Sequence, residues 1–482
     1  MNWTEERNLT MLADFYEFTM ANGYLENDMQ DIIAYFELYF RKVPDDGGFA
    51  ITAGLEQAIQ YIKNLEFSKE DIEYFKSKNI FSDKFLDFLE NFEFKCDIWA
   101  LPEGSVVFPS EPIMIVRGPV VQAQMVETML LLTINHQSLI ATKANRIVRA
   151  AQGRAVMEFG SRRAQGPDAA NYGARAAYIG GVIGTANTMA DRDFDVPALG
   201  TMAHSWVQLF PTELEAFKAY AKVFPTNCVL LVDTYNTLKS GIPNAIKTFD
   251  EVLKPLGVRP KGIRLDSGDI AYLSKNARRM LDEAGYEDCE IVASSSLDEY
   301  KIRDMLLQGS KLDSFGVGER LITSMTTPVF GGVYKLVAIE QDGKIIPKIK
   351  ISENIEKITT PGFKNIHRLY DKTTGKAEAD LITLHHEVID DDKPLEIFHP
   401  IHTWKRKTLT NFYSKKLLVK IFEDGKLIYD LPSLDEIREF CKSEVESLWD
   451  EVKRFEYPHQ YIVDLSLELW TVKDRLLTNA DS

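Results

Sequence analysis

The spacing of apolar residues predicts mostly helices over the first 150 residues. Helical periodicity is found in residues 10–22, 54–64, 68–91 and 122–150. The first of these helices is predicted to stop at Gly23, and the last is predicted to be one long helix. Residues 32–41 alternate between apolar and polar positions and therefore predict a strand.

The pattern changes between Ala155 and about Gly332, where short β-branched runs alternate with amphipathic stretches of helix length. Seven runs predict strands, over residues 155–159, 182–185, 198–203, 228–232, 262–265, 290–293 and 314–316. Capping boxes predict helices that begin after Thr212 and after Ser296. This alternation predicts a parallel sheet. Seven units without a dominant glycine-rich fingerprint favour a closed or irregular barrel over a doubly wound sheet.

The last part of the chain has the pattern of antiparallel structure. Asp342-Gly343 and Asp424-Gly425 each lie between two strand-like runs and predict hairpins. The capping box that begins at Ser433 predicts a helix. No internal repeat is evident in the sequence.

Composition narrows the class of protein. The 482 residues suggest about three domains, and 45% hydrophobic content is enough for a large core. A net charge of −16 argues against a general nucleic-acid or anionic-membrane surface. The four scattered cysteines fit a reduced compartment. Because Met1–Glu6 has no apolar signal core and no run could span a bilayer, we expect a soluble, cytoplasmic protein.

Polar and small residues follow the seven predicted strands, where a barrel of alternating strands and helices has its active site. These strand ends carry Arg162 and Arg163, Thr185, Thr201 with His204 and Ser205, Asp233 with Thr234, Arg264 with Asp266 to Asp269, Ser294 to Ser296, and Gly316 with Gly318. Arginines and flexible turns bind phosphate, and carboxylates bind a divalent cation or ribose hydroxyls. The set predicts a site for a phosphorylated sugar.

His204 is the candidate for the chemistry at this site. A lone histidine is usually structural. This one follows a strand and lies among Gly200, Thr201 and Ser205, where contact with a ligand is expected. It could act as a base or as a nucleophile toward a phosphoryl group.

Five sequence blocks together resemble the nicotinate phosphoribosyltransferase family. They are Asp14 to Tyr24, Glu158 to Ala164, Gly200 to Ser205, Arg264 to Asp269 and Gly331 to Leu336. The resemblance implies ATP-coupled synthesis of nicotinate mononucleotide from nicotinate and 5-phosphoribosyl 1-pyrophosphate, the first step from nicotinic acid to NAD. It also implies a transient phosphohistidine, Mg²⁺, and a homodimer with shared active sites.

The implied fold is an irregular α/β (TIM-like) barrel with an additional α+β domain formed from N- and C-terminal segments. We expect the N-terminal α+β domain over residues 1–137 and the barrel over residues 138–345. The C-terminal segment, residues 346–482, is expected to pack with the N-terminal domain.

The resemblance also implies site residues by motif. His204 resembles the phosphorylated histidine, and catalytic roles are implied for Arg264 and for Asp266, a possible Mg²⁺ ligand. Nicotinate contacts are implied for Tyr16 (from the partner subunit), Phe159, Thr201 and Arg264. Phosphoribosyl pyrophosphate contacts are expected from Arg162, Ser294, Gly316, Gly318, Thr323 and Arg41.

The residue at position 186 bears on whether an enzyme of this kind uses nicotinate or nicotinamide. The nicotinamide-specific relatives carry an aspartate where this chain has Ala186. A carboxylate there would accept a hydrogen bond from an amide and repel a ring carboxylate, so Ala186 favours nicotinate. The alternatives are a nicotinamide or quinolinate phosphoribosyltransferase, or a non-catalytic relative that binds NAD precursors. A barrel aldolase would need a Schiff-base lysine, which none of the seven strand ends carries.

Overall fold

The structure, a computed structural model, describes residues 7–479. The acidic N-terminus used for the prediction of location, Met1–Glu6, lies outside these residues. Two structural units divide the chain: the described residues of Met1–Thr142 with Val329–Ser482 form the first unit, and Lys143–Pro328 forms the second. None of the helices within residues 7–479 combines the length and the apolar character needed to cross a membrane.

The elements follow one another in three stretches of chain. The first contains α1 (Phe15–Glu26), β1 (Ile33–Tyr39), β2 (Ala50–Ile51), α2 (Leu55–Lys63), α3 (Lys69–Ser77), α4 (Asp83–Glu90), β3 (Asp97–Ala100), β4 (Val106–Val107), β5 (Met114–Pro119), α5 (Val120–Met125) and α6 (Glu127–Ala150). The second contains β6 (Ala155–Glu158), α7 (Pro167–Ile179), α8 (Thr188–Phe194), α9 (His204–Gln208), α10 (Glu213–Val223), β7 (Val229–Leu231), α11 (Ile242–Thr248), β8 (Gly262–Leu265), α12 (Ile270–Glu283), β9 (Glu290–Ala293), α13 (Glu299–Leu307), β10 (Ser314–Val317) and α14 (Glu319–Ile322). The third contains β11 (Val333–Gln341), β12 (Lys344–Pro347), β13 (Lys364–Asp371), β14 (Ala377–Leu384), β15 (Leu395–Phe398), β16 (Arg406–Leu409), β17 (Phe412–Lys416), β18 (Val419–Glu423), β19 (Lys426–Leu427), α15 (Leu434–Ser447), β20 (Val463–Leu465) and α16 (Leu467–Asn479).

The first unit is built on a seven-stranded sheet in the order β12-β11-β1-β5-β3-β18-β19. Strand β1 is internal to this sheet and almost entirely buried, and it pairs antiparallel with β5 on one side and β11 on the other. The ring of Phe36 stacks on that of Tyr334, with centroids 5.0 Å apart. A second sheet has the order β17-β13-β14-β20. The predicted hairpins at Asp342-Gly343 and Asp424-Gly425 are confirmed.

The second unit contains a parallel five-stranded sheet in the order β6-β10-β9-β8-β7. Two further segments extend it beyond β6 only by single bridges, Glu158 to Thr185 and Thr185 to Ala198. Pro197 has no N–H to continue a ladder, so pairing there stays short. The parallel sheet is confirmed, but the predicted irregular TIM-like barrel is not, since the described strands of this unit form an open sheet.

Several predicted helix boundaries were wrong for local reasons. Helix α1 begins after the capping box of Asp14 and continues through Gly23, because a glycine inside a helix is unfavourable by only about 1 kcal/mol relative to alanine and does not by itself end the helix. The helix predicted over residues 68–91 is two helices, and Ser82 caps the second. The stretch 122–150 is likewise interrupted at Val126, between α5 and α6.

Local capping signals also had mixed outcomes. Thr212 caps α10 as predicted, and Ser433 caps α15. Helix α13 is capped by Asp298 rather than by the predicted Ser296. Asp298 is the better cap because its carboxylate forms two interactions. One oxygen accepts from the Lys301 N–H at 2.8 Å, and the other pairs with Arg320 at 2.5 Å.

Candidate active site

The parallel sheet of the second unit brings several predicted site residues together at the carboxyl ends of its strands. Parallel strands end at one edge of a sheet, where ligands bind in open α/β structures. Arg264 lies near the end of β8, with Asp266 just beyond it, and Ser294 follows β9. His204 begins the short helix α9. The contacts described next show that these side chains form one cluster.

Arg264 is the centre of this cluster. Its Nε donates to Ser294 Oγ at 2.9 Å, and its two terminal nitrogens donate to Thr201 Oγ1 at 3.3 Å and to Asp266 Oδ1 at 2.9 Å. A guanidinium has five N–H groups in a rigid fork, so two remain for a ligand after these three bonds. The guanidinium carbon also lies 5.9 Å from the centroid of the Phe159 ring. A planar anion stacked on Phe159 would therefore be within reach of Arg264.

The surroundings of Asp266 keep its carboxylate ionised. Partial burial raises the pKa of Asp266, but hydrogen bonds from Ser294 and Arg264 and the nearby His204 outweigh burial, so that the pKa is lowered overall. The Ser294 hydroxyl donates to the same Asp266 oxygen that Arg264 contacts. The other oxygen, Oδ2, lies 3.8 Å from His204 Nε2.

His204 is held by one neighbour and faces two carboxylates. Its Nδ1 lies 3.1 Å from Thr234 Oγ1. Its Nε2 lies 4.0 Å from Asp233 Oδ1 and 3.8 Å from Asp266 Oδ2. The imidazole is 39% exposed, so a ligand can reach it. An exposed imidazole nitrogen can act as a nucleophile toward a phosphoryl group.

Asp233 follows β7, and its carboxylate forms hydrogen bonds with the residues that follow β8. Its Oδ2 accepts from the Asp266 N–H at 2.8 Å and from the Ser267 hydroxyl at 2.7 Å. Its Oδ1 is buried and has no hydrogen-bond donor among residues 7–479. This oxygen is directed toward His204. A buried polar atom without a partner at a ligand site points to a group that arrives with the ligand.

The Phe159 ring lies directly against Gly316. A Cβ at position 316 would approach ring atoms Cδ2 and Cε2 of Phe159 to 2.6 and 2.7 Å. Glycine is therefore required at this position to leave room for the ring. The structure thus gives Gly316 a contact with Phe159, although a phosphoribosyl contact was predicted for it.

The turn that carries Phe159 is joined to the neighbouring segment by Glu158. One carboxylate oxygen of Glu158 accepts from the Gly160 N–H, and the other accepts from the Thr185 hydroxyl at 2.6 Å. The Ala186 N–H donates to the backbone oxygen of Glu158 at 2.9 Å. Ala186 itself is exposed.

The remaining residues of the second unit that were predicted to contact phosphoribosyl pyrophosphate belong to two adjoining segments, the turn Ser161–Arg163 and helix α14 with its flanks, which are joined by the ion pair of Arg163 with Glu319. Arg162 lies in the 3-10 turn Ser161–Arg163, where its exposed side chain forms no ion pair or hydrogen bond with any residue of the described chain. Gly318 precedes α14. The Thr323 hydroxyl donates to the Glu319 carbonyl at 2.7 Å. Arg162 is therefore available to an anion.

Two predicted site residues belong to the first unit. Tyr16 lies on α1 and is 42% exposed, and the pKa of its phenol is raised by burial and by the carboxylate of Glu127. Arg41 follows β1, and its guanidinium carbon lies 5.9 Å from the Tyr39 ring centroid. Their predicted contacts with nicotinate and pyrophosphate stay predictions.

No individual role was predicted for three residues that the structure brings into this site. Asp233 and Thr234 were recognised only as strand-end residues, and Glu158 only as part of a motif. A signal was present for Glu158, because a carboxylate inside the apolar run from Val156 to Phe159 is unusual. No local signal could have shown that Thr234 lies beside His204, which is 30 residues away.

Three family models match the chain. The nicotinate phosphoribosyltransferase (NAPRTase) N-terminal domain matches residues 11–135, the NAPRTase family model matches 154–377, and the NAPRTase C-terminal domain matches 363–473. Together these models cover most of the chain.

Individual proteins are similar over nearly the full length. A nicotinate phosphoribosyltransferase of Bacillus subtilis (strain 168) is 45% identical over 471 residues, covering 97% of this chain and 95% of that protein. One from Dictyostelium discoideum is 36% identical and covers 95% and 87%. The crystal structure of human nicotinic acid phosphoribosyltransferase is 29% identical, has a TM-score of 0.83, and covers 97% of this chain and 100% of that chain.

Proposed function

The chain belongs to the nicotinate phosphoribosyltransferase family, and we propose that it joins nicotinate to 5-phosphoribosyl 1-pyrophosphate, giving nicotinate mononucleotide and pyrophosphate. The observation that carries this proposal is the cluster of Arg264, Ser294 and Asp266 beside the Phe159 ring and facing His204. The reaction is a step of NAD biosynthesis.

The aromatic ring and the guanidinium together suit nicotinate. The flat pyridine would stack on Phe159, and the two unused N–H groups of Arg264 would donate to its carboxylate. Ser294, Asp266 and Thr201 hold the guanidinium in one orientation. The ring nitrogen can then be directed at C1 of the ribose. Tyr16 of the partner subunit would cover the opposite ring face in the homodimer that we propose.

Transfer of the ribosyl group depends on position and charge. As the bond from C1 to the pyrophosphate oxygen breaks, the ribose becomes cationic, and the nicotinate nitrogen supplies the electron pair of the new C–N bond. Carboxylates such as Asp266 stabilise the cation or hold the ribose hydroxyls, and cations such as Arg162 attract the departing pyrophosphate. We assign Gly318, Thr323 and Arg41 to the phosphoribosyl pyrophosphate site on the resemblance alone.

We further propose that ATP phosphorylates His204. An Nδ1–H that donates to Thr234 Oγ1 leaves the Nε2 lone pair free. That lone pair attacks the γ-phosphorus, the bond to the bridging oxygen breaks, and ADP leaves. A phosphate on His204 adds negative charge beside Asp233 and Asp266 and would change how this edge of the sheet binds its ligands.

The carboxylates near His204 suit a divalent cation. The buried Asp233 Oδ1 lacks a donor in the described chain, and Asp266 Oδ2 is the second carboxylate oxygen within 4.0 Å of His204 Nε2. Oxygen ligands of this kind suit Mg²⁺, which usually binds one or two carboxylates together with phosphates. We assign Asp266 and Asp233 as its holders. Bound there, the ion would neutralise phosphate charge.

We also propose that the protein is located in the cytoplasm.

The test is the formation of nicotinate mononucleotide from nicotinate and phosphoribosyl pyrophosphate, with and without ATP, in the wild type and in His204→Ala. We expect ATP to raise turnover in the wild type, and the variant to keep a slow basal rate without that response. If nicotinamide or quinolinate reacts while nicotinate does not, the substrate assignment is wrong. If ATP stimulates both proteins equally, the phosphohistidine assignment is wrong.

A further inference from the structure

Glu158 is a buried carboxylate beneath the turn that carries the Phe159 ring. Glu158 is fully buried, and its carboxylate forms no ion pair with a cation within residues 7–479. Its two oxygens instead accept hydrogen bonds from two neutral donors, the Gly160 N–H and the Thr185 hydroxyl. These donors lie on different segments of the chain.

If packing were the only role of Glu158, a carboxylate would be an unfavourable side chain at this buried position. Removing a charge from water without a counter-ion destabilises the folded chain, and burial raises the pKa of Glu158 against the lowering effect of its two hydrogen bonds. An apolar side chain of similar size would avoid that destabilisation. A carboxylate, unlike an apolar side chain, has two acceptor oxygens, and here each of them accepts from a different donor.

The two donors are next in sequence to Phe159, on which the pyridine ring is proposed to stack, and to Ala186, which is proposed to lie near the ring substituent. Gly160 follows Phe159, and a Cβ on Gly160 would come within 2.7 Å of Glu158 Oε1, so the turn lies directly on the carboxylate. Thr185 precedes Ala186, and its Oγ1 also accepts from the Asn187 N–H at 3.0 Å. One side chain therefore fixes both the stacking ring and position 186.

We propose that Glu158 is a positioning residue for the pyridine ring. Through Gly160 and Thr185 it sets the distance between the Phe159 ring and Ala186, and with that distance the preference for a ring carboxylate over a ring amide. The inference rests on the proposed function. It assigns Glu158 no contact with substrate.

The matched pair Thr185→Val and Thr185→Ser tests this role. Valine keeps the volume and removes the hydroxyl, whereas serine keeps the hydroxyl. We expect Thr185→Val to raise the KM for nicotinate about tenfold, the factor that corresponds to ~1.4 kcal/mol. The KM for phosphoribosyl pyrophosphate should change much less, and the ratio of nicotinamide to nicotinate use should rise. Thr185→Ser should restore wild-type values.

Thr248→Val controls for the loss of a buried hydroxyl. Thr248 is fully buried in the same unit, on α11, and its hydroxyl donates to the Asn244 carbonyl at 2.8 Å. We expect Thr248→Val to lower the melting temperature without changing either KM. If Thr185→Val shows only that pattern, Glu158 and Thr185 have a structural role and the inference is wrong.

Glu158→Met gives a second measurement, because methionine has a similar length and no oxygen to accept from Gly160 or Thr185. Calorimetry should show weaker nicotinate binding in this variant, and its effect should not add to that of Thr185→Val, since each variant removes the hydrogen bond between Glu158 and Thr185. Full additivity, or wild-type affinity in both variants, would refute the positioning role and leave the proposed function intact. Failure of the wild type to use or bind nicotinate would refute both.

Discussion

Gly316→Ala distinguishes between two roles for this glycine: contact with the Phe159 ring, and contact with phosphoribosyl pyrophosphate. The added Cβ would lie 2.6 and 2.7 Å from two carbons of the Phe159 ring. Nonbonded carbons prefer about 3.5–4.0 Å, so the ring must withdraw by roughly 1 Å. A displacement of that size next to a reacting ligand can lower activity by up to about 100-fold. Overpacking should also lower the free energy of unfolding by about 1–3 kcal/mol.

The assay is steady-state kinetics with each substrate varied in turn, together with thermal unfolding. We expect the KM for nicotinate to rise strongly and the KM for phosphoribosyl pyrophosphate to stay near its wild-type value. Gly23→Ala is the control, because a Cβ there meets nothing within 4 Å. If Gly316→Ala instead raises only the KM for phosphoribosyl pyrophosphate, Gly316 contacts that substrate and the argument from the Phe159 ring is refuted.

Two further predictions concern charge. Ala186→Asp should sharply lower kcat/KM for nicotinate while nicotinamide is less affected, because the new carboxylate repels a ring carboxylate; unchanged nicotinate kinetics would contradict this. Burial raises the pKa of Glu17 to about 7 from 4.5, helped by Glu127 and opposed by hydrogen bonds from Thr128. Between these pH values the folded state holds more protons than the unfolded state, so stability should fall as pH rises. The melting temperature of Glu17→Gln should show a smaller fall from pH 5 to pH 8, and an identical fall would show that Glu17 is not responsible.

The sequence was most informative where a signal is local. Thr212 and Ser433 cap their helices as predicted, because a cap is formed by residues three positions apart. The prediction of Ser296 as a cap failed because Asp298 competes two residues later and gains the ion pair with Arg320. Five of the seven strands predicted in the second unit from β-branched runs are confirmed, whereas residues 182–185 and 198–203 form only single bridges. Whether the sheet closes depends on pairing between distant segments, which leaves no local pattern.

The candidate site shows the same limit. Motifs identified Arg264, Asp266 and His204, and the structure places their side chains near one another. The contact of Gly316 with Phe159 could not be predicted, because it depends on the parallel register in which Gly316 lies opposite Met157. Nor could the sequence reveal that the Glu158 carboxylate has two neutral donors and no cation.

The pairing of β1 with β11 has a consequence for how the polypeptide is made. Tyr35 on β1 bonds to Glu340 on β11, 305 residues later. At about 5–20 residues per second, a ribosome needs roughly 15–60 s to synthesise the chain between them. During that interval one edge of β1, an apolar and otherwise buried strand, has no neighbour and could pair with another chain. The nascent protein therefore has an open edge on β1 until residue 340 emerges, and its yield should depend on chaperones that protect this edge.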